Sequence, residues 1–122
     1  MNFDKALGLS YSSVCTEDDF HAYYRAIITA LGYANVKRCI PFTLQQLSDA
    51  YKKDRHFNVL PIQEWDRAAG FIIKGADCEL VGSLLTRLYH NKCGVTTFSC
   101  SQGVCILKEC ARMWLEEEIE KC

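Results

Sequence analysis

The chain has 122 residues, eight of them cysteine, with 14 Lys+Arg against 15 Asp+Glu and a net charge of −1. That length fits a single domain, 1–122, able to build a core without cross-links. The near-average composition excludes disorder, collagen and coiled coil. No apolar run approaches the roughly 18 residues of a membrane span, and Met1 to Leu9 holds no apolar stretch of the secretory kind, so a cytoplasmic protein is expected.

Thr16 before Glu17, Asp18 and Asp19 predicts a helix start, with a hydroxyl for the free amides and acids at the positive end of the dipole. Phe20, Tyr23, Tyr24, Ile27, Ile28 and Leu31 then share a stripe with a 3.6-residue period, and Gly32 stops a helix over about 17–31. Tyr23 and Tyr24 lie about 100° apart on it, so the pair is not expected to face the core fully together. Val36 to Phe42 reads as a short extended piece, because Ile40 precedes Pro41.

Thr43-Leu-Gln-Gln46 has capping-box spacing and opens a second helix carrying Leu44, Leu47 and Tyr51, ended by the charged run from Lys52 to Arg55. Pro61 starts a short third helix with Ile62, Trp65 and Ala69 on one face and Gly70 as its stop. Asp77 or Cys78 begins a fourth, burying Leu80, Val81, Leu84, Leu85 and Leu88 and running to about His90, with Gly94 closing it. Val95 to Cys100, the loop Ser101-Gln-Gly103 and Val104 to Leu107 read as a β-hairpin. A final helix over Glu109 to about Glu120 turns Cys110, Met113 and Trp114 inward.

The expected fold class is therefore α+β: a helix-rich single domain with one β-hairpin after the fourth helix. Three helices followed by a hairpin is the element order of a winged helix, with 78–90 as recognition helix and 95–107 as wing. That link is topological only.

The cysteines are 15, 39, 78, 93, 100, 105, 110 and 122. Without a secretory leader, buried reduced thiols are the favoured reading over a disulfide framework. His90, Cys93, Cys100, Cys105 and Cys110 cluster along the chain. Their spacing lacks the short Cys-x₂₋₄-Cys knuckle of structural zinc, and the expected hairpin places Cys100 and Cys105 on opposite faces. A metal site on His90, Cys93, Cys100 and Cys110 is the weaker alternative, and no cofactor is expected. His21, His56 and His90 sit in no nucleophile–base signature, and phosphate-loop, dinucleotide, zincin and serine-hydrolase motifs are missing, so no enzyme activity is expected.

Charge is uneven. Residues 20–108 hold eleven Lys/Arg against six Asp/Glu, while Glu17–Asp19 and Glu116–Glu118 make the two ends acidic. Lys52, Lys53, Arg55 and His56 form the densest basic cluster; Arg87, His90 and Lys92 crowd the end of the fourth helix; Trp114 is the aromatic expected to anchor a partner if exposed. Two functions compete on these residues. The favoured one is a non-catalytic small binding protein acting through a protein–protein interface, of inhibitor, immunity or mobile-element adaptor type. The alternative is a winged-helix nucleic-acid-binding regulator. Asp77 and Glu79 at the start of the proposed recognition helix, and a wing without Lys or Arg, oppose phosphate contact and rank it second. Met113, Trp114, Leu115 and Ile119 on several sides of the last helix suggest a homodimer.

Overall fold

The computed structural model describes residues 17–76, 78–89 and 99–121, which form six helices and, among the described residues, no strand. In chain order they are α1 (Glu17–Leu31), α2 (Tyr33–Cys39), α3 (Leu44–Lys53), α4 (Ile62–Gly75), α5 (Cys78–Tyr89) and α6 (Cys100–Glu120). The long α6 is the central element: α1, α2, α3 and α4 all pack on it, and α5 packs on α1.

The α+β expectation is overturned at residues 99–107. The predicted second strand, Val104 to Leu107, is the interior of α6, and the predicted loop Ser101-Gln-Gly103 is its first turn. The first strand, Val95 to Phe98, lies outside the described residues, as do Thr16, Asp77, His90, Lys92, Cys93 and Gly94. With the wing absent from 99–107, the winged-helix order falls too. The physical reason is local. Ser99-Cys-Ser-Gln102 has capping-box spacing, and the Ser99 N–H donates to the Gln102 side-chain oxygen at 3.2 Å. Beyond it Gly103, Val104, Ile106, Leu107, Cys110 and Ala111 are all buried, filling an apolar arc at helical spacing. Gly103 is the signal that misleads: it serves a close helix crossing, where an added Cβ would come 2.8 Å from the Cβ of Ala69 on α4.

The remaining elements follow their sequence more closely. On α1, Tyr23, Tyr24, Ile27 and Ile28 are all buried, so both tyrosines face the core. The helix is covered by α2, α5 and α6 together, which widens its buried arc beyond a single stripe. Gly32, at φ +93°, turns the chain from α1 into α2. The extended piece expected over 36–42 shrinks, because α2 is helical to Cys39. Only from Ile40, before Pro41, is the backbone extended.

The expected capping box on α3 is formed. Thr43 Oγ1 accepts from the Gln46 N–H at 3.1 Å, and Gln46 Oε1 accepts from the Thr43 N–H at 2.9 Å. Helix α4 does not stop at Gly70 but runs to Gly75, because a single glycine costs about 1 kcal/mol in a helix and burial of Ile72 outweighs it. Ile62, expected inward, is exposed. On α5, Val81, Leu84 and Leu85 are buried, and Leu80 is partly exposed.

The buried side chains form one cluster, with Trp65 at one end flanked by the rings of Phe42 (5.0 Å) and Phe57 (5.9 Å). Phe57 reaches that place from a backbone at φ +58°, a strained region for a bulky residue. Its fully buried ring, also 5.9 Å from Tyr51, offsets the strain. No helix among the described residues is long and apolar enough to cross a membrane.

A candidate binding groove beside a buried carboxylate

Among the described residues one charged side chain is buried within this core. Glu109, on the inner face of α6, has a side chain 1% exposed. Burying a carboxylate is costly unless every lone pair finds a donor. Three donors converge on it. Nδ1 of His21 lies 2.6 Å from Oε2, Nε of Arg25 donates to Oε1 at 2.9 Å, and Nε of Arg112 donates to Oε2 at 3.1 Å, with its Nη2 in ion-pair contact at 3.0 Å. His21 and Arg25 are four apart on α1, and Glu109 and Arg112 three apart on α6, so each pair shares a helix face.

The network spreads outward through the two arginines. Arg25 donates from Nη2 to both oxygens of Glu116, at 3.2 and 3.1 Å. Arg112 donates from Nη1 to the backbone carbonyl of Arg55 at 3.0 Å, which ties the loop after α3 to α6. A carboxylate with this many donors is committed to holding α1, α6 and the 54–60 loop in register. It acts as a structural pin.

Beside the pin, α3 and α6 splay apart into a groove of about 570 Å³. Leu44 and Tyr51 line the α3 wall together with Gln45, Ser48 and Lys52; Leu115 and Ile119 line the α6 wall with Arg112, Glu116 and Glu118. Its floor is apolar and its lips carry opposite charges. Ile119 is 72% exposed, the most exposed large hydrophobic side chain among the described residues. A smaller crevice of about 290 Å³, lined by Arg25, Tyr33, Met113, Glu116, Glu117 and Glu120, lies next to the same stretch of α6. There the Tyr33 hydroxyl donates to Glu117 at 2.9 Å, and burial with this bond pushes its pKa up.

The structure scatters the residues singled out from sequence. Lys52, Lys53 and Arg55 are exposed at the end of α3, and only Lys52 lines the groove. Arg87 is half-buried on α5, an element that packs on α1. Trp114 is not an exposed anchor: it packs against the core, with the Lys37 ammonium 6.0 Å above its ring and 4.8 Å above that of Tyr33. His90, Lys92 and Cys93 lie outside the described residues.

Of the four described cysteines with assigned exposure, one meets the expectation of burial and three depart from it. Cys110 is buried, Cys39 and Cys105 half-buried, and Cys100 exposed, all as free thiols. Cys100 and Cys110 are ten residues apart on one helix, about 15 Å along its axis, so they do not close around one ion. Among the described residues no group of three His, Cys, Asp or Glu side chains is placed to hold a metal.

Glu109, Arg25, Arg112 and His21 were missed as a set. The available signal was a charge pattern inside apolar stripes: Glu109 between Leu107 and Cys110, and Arg25 between Tyr24 and Ile27. Comparison of the chain with protein-family models, with curated proteins and with solved structures returns no match.

Proposed function

We propose that the chain is a non-catalytic binding protein acting through a protein–protein interface, of inhibitor, immunity or adaptor type, and that the groove between α3 and α6 is its contact surface. The observation that carries this reading is the combination of an apolar floor, charged lips and a protruding Ile119 on one rigid face. Large exposed apolar side chains beside a concave apolar surface mark protein contact sites. The rigidity comes from Arg112, which lines the groove while anchored to Glu109 and to the Arg55 carbonyl. A preformed face loses little conformational freedom on binding.

Affinity capture from native extract tests the reading, with Ile119→Lys as the disabling variant and Phe71→Lys as a control at a second exposed apolar position. Loss of a stoichiometric protein with Ile119→Lys alone supports it. Capture that survives Ile119→Lys, or recovery of nucleic acid in place of protein, overturns it.

A further inference from the structure

We infer that the occupant of the α3/α6 groove is a second copy of this chain, related by a two-fold axis running along the groove. The inference rests on the reading of this groove as a protein interface and names its partner.

A symmetric dimer buries the same patch on both copies, so that patch must complement itself. This one does in shape and in charge. It holds both a hollow, floored by Leu44, Tyr51 and Leu115, and a projecting apolar side chain, Ile119. A two-fold axis along the groove brings the α6 lip of one copy against the α3 lip of the other. Ile119 then enters the hollow beside Leu44 and Tyr51 of the facing copy, twice per dimer.

The same rotation brings the α3 lip, which carries Lys52, against the facing α6 lip, which carries Glu118. Lys52 is exposed and makes no ion pair among the described residues. Among the described residues Glu118 pairs with Lys121 alone, three residues along the same exposed surface, at 3.3 Å. Both groups are therefore at hand for a cross-copy pair, and a groove whose lips bore one sign of charge would repel its own copy. With Ile119 and the floor covered twice over, the dimer is the unit that meets any further partner.

Molar mass of the full chain by light scattering and sedimentation equilibrium, in reductant and over about 1–200 μM, tests this. A mass of twice 13.9 kDa at the upper end is expected. Ile119→Lys should raise the dimer dissociation constant about 1,000-fold, the equivalent of losing two ~2 kcal/mol interface anchors, one from each copy. Lys52→Glu and Glu118→Lys should each weaken the dimer, and the double variant Lys52→Glu/Glu118→Lys should recover it. Unchanged helical circular dichroism shows that each variant remains folded.

A dimer insensitive to Ile119→Lys overturns this inference, and it overturns the groove as an interface as well when protein capture is equally insensitive. A monomeric wild-type chain that captures a different protein, with capture lost in Ile119→Lys, overturns the second copy alone. A monomer that captures nothing overturns both.

Discussion

His21 and Glu109, 88 positions apart in sequence, meet at 2.6 Å inside the contact between α1 and α6. The carboxylate they share with Arg25 and Arg112 is fully enclosed, so its worth lies in what its removal would strand. Arg112, its side chain 12% exposed, has little access to water for a replacement partner. Glu109→Ala is expected to destabilise the fold by about 3–5 kcal/mol, the usual result of breaking a buried ion pair by one partner. Arg25 is 45% exposed, and its loss leaves Glu109 with two other donors. Arg25→Ala should therefore cost less, about 1–2 kcal/mol. Urea denaturation followed by circular dichroism ranks the two; equal losses would contradict the account.

The crossing of α4 and α6 supplies a sharper steric test. Gly103→Ala places a methyl against the Cβ of Ala69, with the Ala69 Cα 3.4 Å away, and should cost about 1–3 kcal/mol by overpacking. Gly70→Ala lies in the interior of α4 with no atom within 4 Å of the new methyl. It should stabilise by about 0.5–1 kcal/mol through helix propensity alone. The two substitutions are chemically identical, so opposite signs in thermal unfolding would locate the close approach.

The thiols should separate by reactivity. Burial pushes the Cys110 pKa up to about 12, against a reference of 9.0, so its thiolate fraction at neutral pH falls about 1,000-fold. Cys100 is exposed at the start of α6. Alkylation followed by peptide mass mapping should label Cys100 long before Cys110. The same shift gives a pH dependence. A thiol raised in the folded state contributes stability in full below about pH 9, and that contribution is lost as pH rises from there towards 12. Tyr33, also raised, adds to the loss above its ordinary value of 10. Urea midpoints measured from pH 8 to 11 should decline, and less steeply in Cys110→Ala.

Thr43 holds the first turn of the α3 wall. Thr43→Ala removes the hydroxyl acceptor of the Gln46 N–H and should cost about 1 kcal/mol. Hydrogen exchange should then quicken at residues 44–47 and stay unchanged in α5, whose main contact is with α1.

Much of the helical architecture was legible. The α1 stripe with its Gly32 stop, the Thr43 capping box and the span of α5 match the sequence closely, because each depends on local spacing and end chemistry. The start of α6 was not, since Val104-Cys-Ile-Leu107 fits a strand and a buried helix equally by residue type. Only the Ser99/Gln102 pair and the packing of Gly103 on Ala69 decide between them, and the second is a contact between residues 34 positions apart. The groove was half legible. Leu115 and Ile119 stand out as apolar on an acidic helix, but the opposing wall of Leu44 and Tyr51 looks like ordinary core. Glu109 was hidden for the same reason: its partners on α1 lie more than 80 positions away.

The central claim, that the α3/α6 groove is a protein-binding face, is tested most directly by photo-crosslinking. A benzophenone-bearing amino acid is placed at position 119, or at 71 as a control, and irradiated in native extract. A discrete protein adduct, at the mass of a second copy or of another chain, is expected from position 119, and none of comparable yield from 71. No protein adduct at 119, or equal yields at both positions, would contradict it.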